Sequence, residues 1–120
     1  MKVGFLITGR LKSTRLVKKL LLDIKGKPVI SHMIDRIKLT KNIDEIIICT
    51  STNKQDAPLA EIAKENSVQC YFGDPDDVLV RLLDAADKHN LNYILNITAD
   101  CPFVDPEYAD KIVDKFIETN

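Results

Sequence analysis

Short apolar runs alternate with segments of helical pattern along most of the chain, and this alternation limits the fold more than any other feature. The apolar runs cover residues 3–8, 46–50, 68–72 and 93–98. Runs of roughly four to eight apolar residues are typical of strands that are buried on both faces. Strands separated by helices form right-handed βαβ units. We therefore predict one three-layer α/β domain over residues 1–120, built on a four-stranded parallel sheet.

Three of the four predicted helices carry start signals. Pro28 sits at a helix start, where its missing N–H costs nothing, and residues 105–107 (Asp-Pro-Glu) show a similar pattern with an acidic cap. Residues 74–77 (Asp-Pro-Asp-Asp) predict another start, with Asp74 as the cap. The residues expected on the core faces are Val29, Ile30, Met33, Ile34 and Ile37; Leu59, Ile62 and Ala63; Val78, Leu79, Leu82, Leu83 and Ala86; and Ala109, Ile112, Val113, Phe116 and Ile117.

The composition is typical of a soluble globular domain. Hydrophobic residues make up 45% and charged residues 29% of the 120 residues, which suits one compact core. The net charge of −1 gives no global attraction to nucleic acid or to a membrane, so we expect neither as a partner. No apolar run approaches the roughly 20 residues of a membrane span. The apolar start is too short for a signal peptide, so we expect a cytoplasmic protein.

The three cysteines, Cys49, Cys70 and Cys101, are far apart in sequence and form no CxxC pair. A structural zinc site normally needs closely spaced ligand pairs. Each cysteine lies in or directly after an apolar segment, as reduced cysteines of cytosolic proteins often do. We therefore expect free thiols and no zinc site.

A basic segment without acidic residues follows the first predicted strand. Its five cations are Arg10, Lys12, Arg15, Lys18 and Lys19. Ser13 and Thr14 add hydroxyl donors, and Gly9 lets the backbone come close to a ligand. Arginine holds phosphate oxygens through two parallel bonds, while lysine acts as a point charge. A solvated basic loop is the alternative, but the position straight after a buried first strand favours phosphate binding.

Asp100 comes directly after the fourth predicted strand. In open parallel sheets, ligands bind beyond the carboxyl ends of the strands. A carboxylate there that faces a basic loop suits Mg²⁺ held together with substrate phosphates. An aspartate can equally cap a turn before Pro102. From the residues alone, both interpretations of Asp100 stay open.

Other charged residues lie around the third predicted helix. Helix capping explains most of the acidic group Asp74, Asp76 and Asp77, and a metal role is the less favoured alternative. Arg81 lies one turn inside that helix, either as an exposed charge or as a side chain that reaches toward a nucleotide. The chain has no GxSxG motif and no Walker A lysine loop, which argues against hydrolase and P-loop classes.

Ordered motifs along the chain resemble those of the sugar and sugar-acid cytidylyltransferases. Residues 10–30 are similar to the family's A-R-x-x-S-T-R-L-P-G-K and G-K-P segments, which the 3-deoxy-manno-octulosonate enzymes share. Residues 50–53, 76–81 and 97–107 are similar to the group of spore coat polysaccharide biosynthesis protein F. The resemblance spans the whole chain and implies a Rossmann-like sheet of the nucleotide-diphospho-sugar transferase type.

The resemblance also implies an activity and a set of site residues. The activity is transfer of CMP from CTP to a sugar or sugar acid, with release of pyrophosphate and with Mg²⁺ as cofactor, for surface polysaccharide biosynthesis; a homodimer is a compatible assembly. Asp100 then matches the first Mg²⁺ carboxylate, which decides between its two interpretations. The implied site residues are Arg10, Arg15 and Lys19 for the triphosphate and catalysis; Gly9, Leu11, Ser13, Thr50, Ser51, Thr52 and Arg81 for nucleotide binding; and Asp100 for the metal.

The sequence departs from the family pattern in the basic loop and in length. Lys12 stands where the family has glycine, and Val17 and Lys18 replace its Pro-Gly, while the spacing of Arg10, Arg15 and Lys19 is kept. Family members are considerably longer, so the resemblance implies that sugar contacts, a second metal carboxylate and much of the dimer interface lie outside this chain. A fragment or reduced relative is therefore the expectation.

Two other classes of function compete with the cytidylyltransferase hypothesis. A non-catalytic nucleotide-binding module would keep the phosphate loop and lack the sugar site. A nucleotidyltransferase of the same fold that uses another nucleoside triphosphate is less favoured, because the GxGxR-type loop of those relatives is absent. RNA binding is least favoured, because no aromatic residues interleave with the basic loop.

Overall fold

A parallel sheet of four strands forms the centre of the molecule. The computed structural model describes residues 2–8, 23–52, 57–74, 76–98 and 106–119. The strands of the sheet are β1 (Val3–Thr8), β4 (Glu45–Ser51), β5 (Gln69–Gly73) and β6 (Tyr93–Thr98), and a short antiparallel hairpin joins β2 (Asp23–Ile24) to β3 (Lys27–Pro28). The helices are α1 (Val29–Ile37), α2 (Pro58–Glu65), α3 (Val78–Lys88) and α4 (Pro106–Thr119). The predicted four-stranded parallel sheet is confirmed.

The order of the strands in the sheet is β5-β4-β1-β6. The chain therefore builds outward from β1 through β4 to β5, and then crosses back to add β6 on the other side of β1. This reversal makes the gap between β1 and β6 the topological switch point of the sheet. Ligands of open α/β sheets bind beyond the carboxyl ends of the strands at such a point. In the parallel register of β1 and β6, Thr8 lies opposite Thr98.

Apolar side chains alternate between the two faces of the sheet and bury a helix layer on each. Phe5, Ile7 and Ile48 pack on one face, with side chains of α1, α2 and α4, in one core cluster. Leu6 and Ile47 point to the other face and pack with Cys49 and with Ala85 of α3. The sheet is thus sandwiched between helices, which confirms the three-layer arrangement.

A polar cluster ties the elements together at the amino ends of the strands. The Lys2 ammonium lies 2.9 Å from a carboxylate oxygen of Glu45 and donates to the carbonyl of His89 at 2.8 Å. His89 Nδ1 lies 2.7 Å from the other oxygen of Glu45. An Asp44 oxygen accepts a hydrogen bond from the amide of Val3 at 2.7 Å. These contacts join β1, β4 and the end of α3 at the edge opposite to the predicted ligand site.

The predicted start of α3 is wrong by one turn. The carboxylate of Asp74 accepts hydrogen bonds from the amides of Asp76 and Asp77 at 2.9 and 3.0 Å, which form a turn instead of a helix. Asp77 is the actual cap, because its carboxylate accepts from the amide of Val80 at 3.1 Å. The helix consequently begins at Val78.

The predicted core faces of α3 and α4 are also partly wrong. In α3, Leu79 and Leu83 are 65% and 55% exposed, whereas Arg81 and Ala85 are buried. In α4, Ala109 and Val113 are buried as predicted, but Ile112 and Phe116 are exposed. Of the residues predicted for α1 and α2, all but Val29 are buried. No helix in the described ranges is long and apolar enough to cross a membrane.

Candidate functional site

The carboxyl ends of β1 and β6 are fixed to each other by polar side chains. Thr8 is nearly buried, and its hydroxyl donates to the carbonyl of Ile97 at 3.3 Å. The side-chain amide of Asn96 donates to the carbonyl of Leu6 at 3.1 Å and to the hydroxyl of Thr8 at 3.3 Å. These bonds hold the carboxyl ends of the two strands side by side.

Seven of the predicted site residues lie in segments outside the described residues, namely Gly9, Arg10, Leu11, Ser13, Arg15, Lys19 and Asp100. The strands that precede these segments are nevertheless described. β1 ends at Thr8 and β6 ends at Thr98, and the two strands are parallel neighbours in register. The basic segment and the segment of Asp100 therefore leave the same edge of the sheet from adjacent strands. The assignment of the individual side chains stays a prediction.

Thr50, Ser51 and Thr52 lie at the same edge, because β4 pairs with β1 on its other side. Thr50 and Ser51 are fully buried, whereas Thr52 is exposed. The amide of Thr52 donates to the carbonyl of Gly73 at 3.3 Å, which ties the end of β4 to the end of β5. Of these three predicted nucleotide-binding residues, Thr52 is thus the one whose side chain already faces solvent.

Thr50 combines complete burial with an unused polar group. Its hydroxyl oxygen has no hydrogen-bond partner within the described part of the chain. Leaving a buried polar group unpaired costs about 1–3 kcal/mol. Cys49 belongs to the core cluster of Leu6, Ile47 and Ala85. The side chain of Thr50 lies on the opposite face of the sheet, because Thr50 follows Cys49 in an extended strand.

Arg81 is buried, so the first of its two interpretations, an exposed charge, is wrong, and its role in nucleotide binding stays a prediction. Its side chain is 2% exposed and lies among the largest fully buried side chains of the described chain. One guanidinium nitrogen, Nη1, donates to the carbonyl of Asp74 at 3.3 Å. The Sγ of Cys49 lies 3.6 Å from the carbonyl oxygen of Arg81, to which it donates. Arg81 therefore spans the space between α3 and the carboxyl ends of β4 and β5.

The sequence carried one unused signal for the burial of Arg81. Gly73 precedes α3 in β5, and a Cβ atom added there would lie 2.9 Å from Cγ of Arg81 and 2.7 Å from a ring carbon of Tyr71. Glycine thus leaves room for the arginine stem to cross the end of the strand. Helical periodicity takes account of apolar residues only, so it left open whether Arg81 is exposed or buried.

Electrostatics around Asp74 agree with its role in the turn that precedes α3. The amides of Asp77 and then of Asp76 lower the pKa of the Asp74 carboxyl below its usual value, and the charge of Arg81 lowers it by less. Asp74 is therefore an anion at neutral pH that is already engaged by the backbone. Within the described ranges, no group of three His, Cys, Asp or Glu side chains is arranged to hold a metal ion.

Comparison with known proteins identifies the family. The family model described as "Cytidylyltransferase" matches residues 5–120, so the chain belongs to the cytidylyltransferase family, a family of nucleotidyltransferases. The predicted family is therefore confirmed.

Relatives of known name match along nearly the whole chain. A 3-deoxy-manno-octulosonate cytidylyltransferase of Chloroherpeton thalassium is 27% identical over 98% of this chain and 47% of its own length. The spore coat polysaccharide biosynthesis protein SpsF of Bacillus subtilis is 27% identical over 91% of this chain and 47% of its own length. The chain thus spans about half the length of these relatives.

Solved structures agree with the fold. A cytidylyltransferase from Leptospira borgpetersenii has a TM-score of 0.93 and 36% identity, covering 98% of this chain and 50% of its own. A CMP:2-keto-3-deoxy-manno-octonic acid synthetase complexed with CTP has a TM-score of 0.83 and 23% identity, covering 98% of this chain and 48% of its own. At 23% identity, the second likeness concerns the fold alone.

Proposed function

We propose that this chain is the nucleotide-binding part of an enzyme that transfers CMP from CTP to a sugar or sugar acid. The reaction releases pyrophosphate and activates the sugar for surface polysaccharide or glycan biosynthesis in the cytoplasm. Membership of the cytidylyltransferase family and the named relatives that act on 3-deoxy-manno-octulosonate support this substrate class. The family and the cytidylyltransferases among its named relatives support the choice of CTP as the nucleotide.

One observation carries the proposal. Parallel pairing of β1 with β6 in the register Thr8 to Thr98 brings the starts of the basic segment and of the Asp100 segment together at the switch point. A triphosphate bound there could be reached from one side by cations and from the other by a carboxylate. On the opposite edge, the Lys2, Glu45 and His89 cluster occupies the ends of the strands with side chains paired to one another.

In the proposed reaction, a sugar oxygen attacks the α-phosphorus of CTP in line. The new oxygen–phosphorus bond forms as the bond between the α-phosphorus and its bridging oxygen to the β-phosphate breaks, and pyrophosphate leaves. The protein contributes mainly positioning and charge neutralisation in such transfers. Arg10, Arg15 and Lys19 would stabilise the negative charge that develops on the leaving pyrophosphate. Gly9, Leu11 and residues 50–52 would lie near the nucleoside, with Thr52 as the exposed side chain of the last three, and Ser13 would belong to the phosphate-binding segment.

The chemistry of Asp100 suits a bound Mg²⁺ ion. Magnesium prefers oxygen ligands and is usually held by one or two carboxylates together with substrate phosphates. Asp100 follows Thr98 by two residues, at the end of the strand that neighbours β1. When bound, the ion would offset charge on the phosphate oxygens.

Substitution of Arg15 tests the proposal directly. We expect Arg15→Ala to weaken binding of CTP with Mg²⁺ and to lower turnover by about 10²–10³-fold, because one contact to the developing charge is lost. The measurement is isothermal titration with CTP, and pyrophosphate release with 3-deoxy-manno-octulosonate and other sugar acids. Lys88→Met is the matched control, since it removes one exposed cation from α3, which is distant from Arg15 in the sequence. Equal CTP affinity and turnover in the wild type and Arg15→Ala would contradict the assignment.

A second candidate function rests on the length of the chain. Because the chain spans about half of its relatives, it could bind a nucleotide without forming a complete sugar site. In that case it would bind CTP in a magnesium-dependent way and release no pyrophosphate with any sugar. Titration of the four nucleoside triphosphates, followed by NMR of the amides of residues 10–19, separates the candidates. A response to none of the four would remove both.

A further inference from the structure

The strand β6 lies at an edge of the described sheet but has the sequence of an internal strand. It pairs with β1 on one side and with no strand of the described sheet on the other. Its sequence, Tyr-Ile-Leu-Asn-Ile-Thr, includes no charged residue and no proline. Natural edge strands usually carry such residues or are covered, because an open edge pairs with other chains. The composition of β6 therefore indicates that its outer edge is covered in the working protein.

The burial of β6 is that of a strand without a second neighbour. Every residue of β1 is buried. The hydrophobic residues of β6 are only half-buried, namely Tyr93, Ile94, Leu95 and Ile97. They lie on both faces of the sheet, because successive residues of a strand point to opposite faces. A cavity of about 250 Å³ beside them is lined in part by Ile112 and Phe116 of α4. Both faces of the sheet are thus incompletely covered at β6.

Helix α3 adds an apolar flank toward the same edge. The ammonium nitrogen of Lys88 lies 5.7 Å from the centre of the Tyr71 ring in β5, so that side of the helix faces β5. The other side carries Leu79, Leu82 and Leu83, at the i, i+3 and i+4 spacing of one helix face. Since β5 and β6 are at opposite ends of the strand order, the leucines lie on the side of β6. Leu79 and Leu83 are 65% and 55% exposed there.

The outer edge of β6, the half-buried side chains beside it and the leucine flank of α3 together form one surface, here called the β6 surface. To cover it takes a strand for the edge and an apolar helix for the flank. The relatives contain enough polypeptide for both. This chain matches 50% of the Leptospira cytidylyltransferase with a TM-score of 0.93, so the same half-fold exists there beside a second half of similar length.

We propose that the β6 surface is the docking site for the second half of a family-length cytidylyltransferase, which adds a strand to β6 and packs an apolar helix beside α3. This inference rests on membership of the family and not on the proposed activity. A charge-free strand edge with an apolar flank recognises its partner through backbone hydrogen bonds and buried apolar area.

The pairing of β6 with β1 determines which backbone groups the added strand meets. In a parallel strand, the N–H and C=O groups of one residue point to the same side, and those of the next residue point to the other side. The amide of Tyr93 donates to the carbonyl of Lys2 on the β1 side at 3.3 Å. By alternation, Leu95 also bonds toward β1, whereas Ile94 and Asn96 point their backbone groups outward, to the docking strand.

Co-expression tests the docking site. The chain is tagged and produced together with the half of the Leptospira enzyme that it does not match. We expect an equimolar complex, and we expect Leu79→Glu/Leu83→Glu to lower the captured second half by about tenfold or more, because its charges would be buried against an apolar helix. Leu39→Glu is the matched control. Leu39 is an equally exposed leucine, at 67%, that follows α1, and its substitution should leave the complex unchanged.

Hydrogen exchange of the wild-type chain tests strand addition without a variant. In the chain alone, the amides of Ile94 and Asn96 should exchange faster than that of Leu95, which bonds to β1. In the complex, we expect the exchange of Ile94 and Asn96 to slow by about tenfold or more. A complex in which these two amides exchange as fast as before would contradict the addition of a strand to β6.

A second copy of this chain is the competing occupant of the β6 surface. In that case, the chain alone would sediment as a dimer, Leu79→Glu/Leu83→Glu as a monomer, and co-expression would give no mixed complex. That pattern would overturn the inference, as would a wild-type chain that captures no second half, or a complex that the double variant and Leu39→Glu affect equally. None of these results bears on the proposed function, which the CTP titration of the chain tests separately.

Discussion

The thiols of Cys49 and Cys70 lie in the packed layers on either side of the sheet, and burial raises the pKa of each to about 11. For Cys49 the nearby charge of Arg81 acts in the opposite direction but is the smaller effect. For Cys70 the neighbouring Cys49 raises the pKa further. Both residues are free cysteines, as the sequence predicted, and both are protonated at neutral pH.

These raised pKa values predict a loss of stability in alkaline solution. Between the unfolded value of 9.0 and the folded value of about 11, the unfolded state has released protons that the folded state still binds. The free energy of unfolding therefore falls as the pH rises through this window and is unaffected by these groups below it. Because a pKa unit is worth about 1.4 kcal/mol and burial is incomplete, we expect a loss of about 1–2 kcal/mol per thiol.

Urea unfolding at pH 8 and pH 10.5 measures this loss. The double variant Cys49→Ala/Cys70→Ala should lack the thiol contribution and keep that of lysines and tyrosines, so its stability should fall less steeply with pH. Parallel pH profiles for the variant and the wild type would show that the two thiols do not titrate with shifted pKa values.

Gly73 shows how a single residue shapes the region of Arg81. Gly73→Ala would place a methyl group within 3 Å of Tyr71 and Arg81, so one of them must move. We expect a loss of about 1–3 kcal/mol in the free energy of unfolding, as for other overpacked sites. Urea unfolding measures the loss. Gly26→Ala cannot serve as the control variant, because Gly26 has a φ of 90°, which is strained for a residue with a Cβ atom. An unchanged stability would contradict the tight packing of Arg81 against β5.

At the scale of elements, α3 shows where local signals conflict. Residues 74–77 offer two aspartates that could each cap the helix, and the proline between them favours the earlier one. Asp74 instead closes a turn, and Asp77 caps the helix. The sequence correctly predicted that a helix follows β5, but local signals alone did not distinguish Asp77 from Asp74 as its cap.

The cap of α3 gives a matched pair of variants. We expect Asp77→Ala to lower the free energy of unfolding by about 0.5–2 kcal/mol, because the amide of Val80 loses its partner. Asp76→Ala, one residue earlier and equally acidic, should change it by less than about 0.5 kcal/mol. Thermal or urea unfolding of both variants is the measurement. Equal effects would mean that Asp77 acts through its charge and not through the hydrogen bond.

The exposed apolar side of α4 is another feature that the local sequence pattern did not predict. Helical spacing correctly identified one apolar face, and Ala109 and Val113 pack into the core. Ile112 and Phe116 lie on the flank of this face, where Phe116 stacks edge-on against Tyr93 with ring centroids 4.8 Å apart. They border a cavity of about 250 Å³ beside β6. Helical periodicity predicts which residues share a face of the helix. It does not predict how much of that face a neighbouring element covers.

At the scale of the whole molecule, the number and direction of the strands could be predicted, and their order could not. The alternation of apolar runs and helices indicates parallel strands, whichever lie side by side. The pairing of β1 with both β4 and β6 emerges only in three dimensions. The sequence alone therefore predicted a common edge for the site segments, and the structure adds that their strands are direct neighbours.

The candidate site was predictable to a different degree in each part. The basic segment and Asp100 stay predictions from the sequence, which rest on their positions after buried strands and on their match to ordered motifs. The buried state of Arg81 was not found, because it depends on the space that Gly73 leaves above β5. The burial of Thr50 and Ser51 likewise depends on the layers that cover β4, which no local pattern describes.

The central claim is that cations after β1 and a carboxylate after β6 bind one triphosphate at the switch point. A crystal structure of the chain with CTP and Mg²⁺ tests it most directly. We expect Arg15 and Lys19 to contact phosphate oxygens, and Asp100 to lie about 2.1 Å from an ion that also binds those phosphates. A nucleotide bound elsewhere, or an Asp100 carboxylate turned away from the phosphates that Arg15 and Lys19 hold, would contradict the claim.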